Sequence, residues 1–430
     1  MKVKYCSKPF LLVALWVFCP IPVNAACTVA TGDQTLPTLA AEHIFNIGVY
    51  STDLQAQNYS YTVGFNKLDN AIDAFKSGQI EQNFREKTDF DNFDKAHSPA
   101  SLRVDFRGLN MWADFAANSS ILNLKVHSAD GQKTIVDEQF GHVGKNREQA
   151  VDELEDYLKK NADALLHELA AASKYDPIAG NPNSLANRQI DNDAAIAFDY
   201  LGLRSLVAPA TFNFMFGSDE PSDCIDVKSF SIPFLGYSHQ MNSGDSINFR
   251  LPLHFSRTEG EADAYSAGVG ISYSKKVTDK WTVTPGISYG IGGSVDLGAV
   301  GQVVSVSLGS NYVFSLTEKG KLSMGNMVAY YQTIPLKLND VEADYDIKNS
   351  VLRNSLMYTH PLGQLSLFGD VILSTYVSDT RVFGDEVAVD QYNEFGILVG
   401  KVNKDQQTAW GAGLKYTTDG GFGLSWSYTF

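Results

Sequence analysis

The sequence predicts a mainly β fold, namely a 12-stranded antiparallel transmembrane β-barrel preceded by a small α+β domain and a linker helix. Three observations predict it. Segments of strand length, in which apolar residues alternate with small polar ones, recur from about residue 206 to the end of the chain. The links between them are alternately short and long, as in bacterial barrels. The one long apolar run, residues 10–19, is too short to cross a bilayer as a helix.

Residues 1–25 have the organisation of a secretory signal peptide. Three lysines precede the apolar run, and small residues follow it for cleavage before Ala26. Asn24 stands where a lipoprotein signal usually has Leu, so we expect ordinary cleavage rather than lipidation of Cys27. An exported chain without a helical anchor is either a soluble protein or a barrel.

Net charge and hydropathy further restrict the class of protein to which the chain can belong. The formal net charge is −15, and loss of the three signal lysines makes the mature chain −18 (−15 − 3). Such an acidic surface argues against binding of nucleic acid or of anionic lipid. A mean hydropathy of −0.14 suits strands that are only half apolar. Cys27 and Cys224 remain in the mature chain and could form a disulfide in an oxidising compartment.

Residues 26–175 are predicted to form the small α+β domain. Period-two alternation predicts most of its strands, and a leucine stripe between charged faces predicts its main helix, for which Asn146 is the expected N-cap. The predicted elements are strands at 44–50 and 59–65, a short helix over 68–80, strands at 102–106 and 121–126, a turn at 129–131 leading to a strand at 134–140, and one helix over 146–173.

Residues 176–205 are predicted to be a linker followed by a helix in the barrel lumen. Proline, glycine and asparagine dominate residues 175–187 and indicate a linker. Residues 185–203 have helical periodicity, and a helix of that length would be about 28 Å long. This length matches the hydrocarbon core of a bilayer, which is about 30 Å thick.

Residues 206–430 are predicted to form the barrel, with the apolar faces of its strands toward lipid. In the closing segment, five apolar or aromatic residues alternate with Gly, Ser and Thr: Phe422, Leu424, Trp426, Tyr428 and Phe430. Counted back from this segment, the strands are expected at 421–430, 408–417, 392–402, 365–377, 347–360, 321–334, 303–316, 281–291, 264–276, 246–255, 229–240 and 207–217. Short turns are expected at 241–245, 277–280, 317–320, 361–364 and 403–407, and long loops at 256–263, 292–301, 335–345 and 378–389.

The alternative is a soluble β-sandwich with the same alternation. It would have to bury its apolar face against a second sheet, and it gives no reason for links that alternate in length. An even strand number also places both ends of the barrel on the periplasmic side, as single-chain bacterial barrels require.

The terminal pattern of Leu424, Trp426, Tyr428 and Phe430 resembles the aromatic signature that outer-membrane barrels present to their insertion machinery. Residues 186–430 as a whole resemble an autotransporter translocation unit. That resemblance implies a monomer in the outer membrane of a Gram-negative cell, inserted by the barrel-assembly machinery with periplasmic chaperones. It also implies a non-enzymatic role, with helix 186–204 in the lumen and the N-terminal domain displayed at the cell surface.

The N-terminal region departs from that family, because it is short and shows no repeats. A solitary autotransporter-like barrel therefore resembles the chain equally well. A porin-like channel with a periplasmic N-terminal domain is the competing function.

The motifs predict no catalytic residue, metal site or cofactor, since the eight histidines are scattered and no HExxH or GxSxG motif is present. Residues 237–244 are superficially similar to the active-site segment of outer-membrane phospholipase A, but Met241 stands at the nucleophile position and Ser243 is displaced. We therefore predict a turn there. Acidic residues on the outer loops are expected to be solvated. The candidate polar contacts in the lumen are Arg250, His254, Asp370 and Lys415.

Overall fold

The computed structural model describes residues 43–429 except for several gaps. The predicted signal peptide, Cys27, Cys224, Phe430 and the turn at 129–131 lie outside the described residues. The gaps are residues 54, 91, 129–132, 174–175, 199–208, 217–226, 259–261, 318–319, 339–340, 366–368, 403–408 and 419–420.

The N-terminal domain is built on a six-stranded antiparallel sheet in the order β2-β1-β3-β4-β5-β6. The two strands predicted at 44–50 and 59–65 are confirmed and form a hairpin, with Phe45 opposite Phe65 and Thr52 opposite Asn58. The strands are Phe45–Thr52 (β1), Asn58–Phe65 (β2), Ala100–Phe106 (β3), Leu109–Phe115 (β4), Leu122–His127 (β5) and Thr134–Phe140 (β6).

Four helices pack against the apolar face of this sheet: Leu68–Lys76 (α1), Gln79–Thr88 (α2), Arg147–Lys160 (α3) and Ala162–Ala172 (α4). The N-cap prediction is confirmed, because the Asn146 side chain accepts a hydrogen bond from the backbone N–H of Gln149. The single helix predicted over 146–173 is wrong. It is interrupted at Asn161, whose side chain donates to the Tyr157 carbonyl and thereby ends α3. The helix predicted over 68–80 is likewise two helices, separated by Gly78 in the left-handed region (φ 72°).

Strand β4 was not predicted. A two-residue turn, Arg107-Gly108, connects it to β3, and both residues have positive φ (55° and 94°), as a tight hairpin turn requires. A side chain at Gly108 would meet the Ala172 carbonyl, so the turn is packed against the end of α4.

A buried carboxyl in this domain should make its stability depend on pH. Burial raises the pKa of Asp105 from 3.8 to about 6, although Gly108 N–H and Asn46 donate hydrogen bonds to it that oppose the shift. A folded-state pKa above the unfolded value means that the folded domain holds a proton more tightly. The contribution of Asp105 to stability is therefore greatest below about pH 4 and falls by about 3 kcal/mol as the pH rises through 6.

We expect Asp105→Asn to abolish this decrease, since the amide remains neutral and keeps an oxygen acceptor. Urea unfolding of the domain within the whole protein, followed by the fluorescence of Trp112 at pH 4 and pH 7, measures the decrease in the unmodified protein and its loss in the variant. An equally steep decrease in the Asp105→Asn variant would assign the pH dependence to other groups.

The C-terminal region forms the predicted 12-stranded antiparallel sheet, and each strand pairs with a neighbour on both sides. The last strand pairs with the first, with Phe422 opposite Phe216. One strand is divided into β9 and β10 at Pro252, which has no N–H to donate to the ladder. The strands are Pro209–Phe216 (β7), Val227–Gln240 (β8), Ser246–Arg250 (β9), Leu253–Thr258 (β10), Ala262–Lys276 (β11), Trp281–Ser294 (β12), Ala299–Ser315 (β13), Lys321–Ile334 (β14), Lys348–Leu365 (β17), Gly369–Gly384 (β18), Gln391–Val402 (β19), Ala409–Thr417 (β20) and Phe422–Thr429 (β21), with a small hairpin, Leu336–Leu338 (β15) and Val341–Ala343 (β16), between β14 and β17.

The polarity of this sheet is the reverse of that in a water-soluble protein. Ile287 and Val306 lie opposite each other and are 55% and 50% exposed, whereas the adjacent pair Ser288 and Ser305 is buried. The same inversion recurs around the sheet: Leu308, Val328, Ile397, Leu414 and Leu424 are exposed, while Asn248, Ser272, Arg353, Ser378 and Glu394 are buried. An apolar outer surface of this extent is stable in lipid rather than in water, so the barrel is a transmembrane one.

The two ends of the barrel differ. The end with turns 241–245, 277–280 and 316–320 is called the turn end, and the end with segments 335–347 and 385–390 is called the loop end. The long loops predicted at 256–263, 292–301 and 378–389 are shorter in the structure, and the turn predicted at 361–364 is wrong, because β17 continues to Leu365 and pairs with β18 there. Strands β10 to β13 extend further than predicted, so only residues 259–261 and 295–298 remain between them.

Candidate functional site: the barrel lumen and the loop end

A helix, Leu185–Phe198 (α5), lies against the inner face of the barrel. It begins near the loop end and runs toward the turn end. At 14 residues it is about 21 Å long, shorter than predicted, and residues 199–203 of the predicted helix lie outside the described part of the chain. Most of its side chains are buried against β8, β11 to β14 and β17.

Glycines on the inner wall make room for this helix. A Cβ atom on Gly309 would collide with Ala197, and one on Gly325 would collide with Phe198. Serine and asparagine side chains between them bond to the helix: Ser288 donates to Gln189 (3.1 Å), and Asn311 donates to the Phe198 carbonyl at the end of the helix (3.2 Å). The small, polar inner face therefore matches the helix in both shape and hydrogen bonding.

Two arginines of the wall bind carboxylates of the helix. Arg250 pairs with Asp193, and both side chains are almost completely buried. Arg353 pairs with Asp191 and also with Glu394 of the wall, and its Nε donates to Ser378 (3.1 Å). Buried ion pairs of this kind specify one arrangement strongly, because removing either partner leaves an uncompensated charge in the interior.

The four candidate lumen residues have different surroundings. Arg250 is bound to the helix as described. Lys415 Nζ lies 3.2 Å from Glu394 and joins the group around Arg353. His254 lies on the inner face of β10, beside Arg188 and Leu185 of the helix. Asp370 is exposed at the beginning of β18, at the turn end.

Sequence reasoning missed Arg353, its wall partner Glu394 and its helix partner Asp191. A signal was available, because Arg353 and Glu394 are charged residues at inward-facing positions of the alternating strands.

At the loop end the N-terminal domain is packed onto the barrel. Ile44, Phe45 and Ala74 of the domain form one buried apolar cluster with Leu297 and Ala299 of the barrel. The first backbone N–H of α1, at Leu68, donates to the Asp296 carbonyl (2.8 Å), and Lys67 lies 3.5 Å from the Asp296 carboxylate.

A second contact at the loop end centres on Asp176. Its Oδ2 lies 3.0 Å from Arg107 Nη1 and accepts a hydrogen bond from the Tyr345 hydroxyl at 3.0 Å. Both members of the ion pair are fully buried. Burial raises the pKa of Tyr345, so the hydroxyl stays protonated and remains a donor. One carboxylate thus joins the β3–β4 turn of the domain to the loop between β16 and β17.

The segment after α4 was predicted to be a linker, but its described part, 176–184, is packed into this contact. Ile178 and Ala179 are fully buried, and the Asp176 carboxylate accepts hydrogen bonds from both of their backbone N–H groups. Gly180 accepts a hydrogen bond from Val389 N–H of the barrel (2.9 Å). The segment is irregular in structure yet fixed in position.

The predicted turn at 241–245 is confirmed. Met241 N–H donates to the Asp245 carbonyl (2.9 Å), Gly244 has a φ of 84°, and the Ser243 hydroxyl donates to the Asp245 carboxylate (2.9 Å). Ser243 and the exposed His239 make no hydrogen bond to each other among the described contacts, so this segment has the geometry of a turn. In the closing strand, Leu424 is 47% exposed on the outer face.

No three His, Cys, Asp or Glu side chains within residues 43–429, gaps excluded, are placed to hold a metal ion. Every helix in the same part of the chain is too short or too polar to cross a membrane.

Similarity to solved structures was found for the barrel region. The β domain of the Bordetella autotransporter BrkA is 14% identical, with 52% of this chain and 100% of that chain covered and a TM-score of 0.41. The translocator domain of the autotransporter NalP from Neisseria meningitidis is 11% identical, with coverages of 56% and 94% and a TM-score of 0.42. The KdgM porin is 12% identical, with coverages of 52% and 99% and a TM-score of 0.31. These TM-scores are low, so the fold is defined by the strand pairings of this chain itself.

No protein-family model matches the chain, and no curated protein is similar to it. The class of protein is therefore the one that its own geometry defines: a transmembrane β-barrel with a polar lumen, a helix in that lumen and a second domain packed on the loop end.

Proposed function

We propose that the protein is an outer-membrane barrel of autotransporter type that anchors and displays its N-terminal domain at the cell surface. The observation that carries this proposal is the pairing of an inside-out sheet with helix α5, which Arg250 and Arg353 hold against the inner wall. The organisation comprises a signal peptide at 1–25, the small domain at 26–175, the linker and lumen helix at 176–205 and the barrel at 206–430.

The direction of α5 supports an extracellular position for the domain. The helix enters the lumen from the loop end, and β7 begins at the turn end, where Pro209 lies opposite Thr429. Outer-membrane barrels have their turns in the periplasm and their longer loops outside. A chain that passes out through the lumen would leave its N-terminal domain on the loop end, where Asp176 and Leu297 contact it.

The role we propose is structural rather than enzymatic. The buried charges of the lumen are occupied by ion pairs between helix and wall, which is an arrangement for holding the helix. The competing function, a porin-like channel with a periplasmic domain, would require the lumen to be open and the domain to lie at the turn end.

Insertion of the barrel into the outer membrane would use the barrel-assembly machinery and periplasmic chaperones. The terminal signal would be Leu424, Trp426, Tyr428 and Phe430.

Labelling of single introduced cysteines in intact cells tests the orientation. Val143 of the domain and Val295 at the loop end are 87% and 80% exposed, and the Asp279 side chain at the turn end is 95% exposed. We expect a membrane-impermeant maleimide to label Val143→Cys and Val295→Cys on intact cells, and Asp279→Cys after permeabilisation of the outer membrane.

The unmodified protein, with its own two cysteines, gives the background for all three variants. Labelling of Val143→Cys only after permeabilisation would place the domain in the periplasm and favour the channel. Labelling of Asp279→Cys on intact cells would invert the barrel and contradict the proposal.

A further inference from the structure

The face of the N-terminal sheet opposite its helices carries a continuous row of polar side chains. Cross-strand pairing places Ser60 opposite Tyr50, Tyr50 opposite Ser101, Ser101 opposite Asp114, and Asp114 opposite Asn123. Directly opposed residues of neighbouring strands project from the same face of a sheet. Hydroxyl, carboxylate and carboxamide groups therefore follow one another across five strands.

A cavity of about 410 Å³ lies over this row. This volume is within the usual range for small-ligand sites, roughly 300–1,000 Å³. Besides the five residues of the row, its lining includes Asn58, Thr52 and Tyr59. The four helices of the domain pack on the opposite face, so the row is not part of their apolar core.

The polar groups of the cavity are held in place. Arg103 Nη1 lies 3.3 Å from the Asp114 carboxylate, and its guanidinium lies 4.5 Å from the ring centre of Trp112. Gln139 donates to the Asn123 side-chain oxygen (2.8 Å), so the Asn123 amide group is oriented as well. A site in which the donors and acceptors are fixed before binding loses less entropy when a ligand arrives.

Arg147 fixes the border of the cavity. Its guanidinium donates to the carbonyls of Ser119, Lys95, Ser98 and Ala116 at 2.7–2.9 Å, and it lies 4.7 Å from the ring centre of Phe115. Ala116 and Phe115 belong to the cavity lining, so one side chain anchors the loops on this side of the cavity.

We propose that this cavity binds an uncharged oligosaccharide. Sugar hydroxyls both donate and accept hydrogen bonds, which suits a row of three hydroxyls, one carboxylate and one carboxamide. Asp114 is the one carboxylate of the row, and the neighbouring Arg103 is paired with it. The row itself contains no cation that could bind a phosphate, sulfate or uronate. The net charge of −15 also disfavours anionic ligands. A peptide would instead be expected along a strand edge, where backbone groups are available.

Binding to defined neutral hexasaccharides tests the proposal with the whole protein in lipid nanodiscs. Alkyl maltoside and glucoside detergents are excluded because their head groups are themselves neutral sugars. Gluco-, manno-, galacto- and N-acetylated hexasaccharides serve as probes in saturation-transfer NMR and calorimetry. We expect at least one of them to bind.

Substitutions in the row locate the site. Asp114→Asn and Asn123→Ala should each weaken binding about tenfold, as expected for the loss of one hydrogen bond to an oriented polar group. Asp137→Asn is the matched control, since Asp137 is exposed on strand β6 and outside the cavity lining. Asn58→Ala, at an exposed edge position, gives a second test that leaves the fold intact.

The proposal is overturned if no hexasaccharide binds, or if binding is unaffected by Asp114→Asn, Asn123→Ala and Asn58→Ala alike. Binding of an acidic oligosaccharide or a peptide alone would also overturn it, because the ligand class would be wrong. Saccharide binding does not depend on which side of the membrane the domain faces. Failure of this experiment is therefore distinct from failure of the cysteine-labelling one.

Discussion

Replacement of Arg353 by alanine should release helix α5 from the lumen wall and increase the frequency of channel openings about 100-fold. Arg353 binds Asp191 of the helix and Glu394 of the wall, and both contacts lie in the interior. Among the described residues, Asp191 then keeps only Arg188 of the helix itself, and Glu394 keeps only Lys415 of the wall. The ion pair between helix and wall is lost at this point, which costs about 3 kcal/mol, the lower end of the range for a broken buried pair. A loss of about 3 kcal/mol corresponds to about two orders of magnitude in the equilibrium between the bound and displaced helix.

Conductance of the purified protein in planar bilayers measures this effect. Arg381→Ala is the matched control, because Arg381 lies on the neighbouring strand β18 with its side chain half exposed and pairs with Asp379 of the same strand. Arg353→Lys should retain part of the free energy that holds α5 against the wall, since it keeps the charge but loses the bidentate geometry of the guanidinium. Deletion of residues 186–204 sets the upper limit of conductance. If that deletion leaves the conductance unchanged, α5 does not block the lumen and the proposed role of the helix is wrong.

Arg107→Ala should destabilise the Asp176 contact between the N-terminal domain and the loop end by about 3–5 kcal/mol. The substitution leaves the Asp176 carboxylate fully buried, with the Tyr345 hydroxyl and two backbone N–H groups but no cation. The segment 176–184 would then open more often, so hydrogen exchange of its amides should speed up by at least 100-fold.

The apolar cluster around Leu297 should keep the domain attached in this variant, so the loss should be local to the Asp176 contact. Arg85→Ala serves as the control, because Arg85 pairs with Glu81 on the exposed surface of α2, where such pairs contribute little. Asp176→Asn separates charge from hydrogen bonding, since the amide oxygen can still accept from Ile178 and Ala179. Unchanged exchange at 176–184 in Arg107→Ala would mean that the contact is held by packing alone.

Those parts of the fold that depend on local periodicity were predictable from the sequence. All twelve strands of the barrel were predicted, with bounds that differ from the observed ones by up to seven residues at the end of β18. They were predictable because a strand with lipid on one side and a polar lumen on the other must alternate at every position. The same rule misjudged the links at the loop end. Strands β12 and β13 continue beyond the loop-end limits that the alternation predicted, so the apolar alternation does not mark where a strand ends.

The helix break at Asn161 and the strand β4 were missed for a related reason. The leucine stripe continues from α3 into α4, so the periodicity gives no sign of a break. In β4 the polar side of the strand carries Trp112 beside Asn110 and Asp114, which conceals the apolar alternation of the other side.

By itself, the sequence determined an exported, mainly β chain whose twelve strands have an apolar and a small polar face, and it indicated a helix before them. The tertiary structure alone decided which charges meet. Arg353 and Asp191 are 162 residues apart in sequence, and Asp176 and Tyr345 are 169 apart. Period-two alternation is a property of each segment, whereas an ion pair depends on strand register and on the depth of the helix in the lumen.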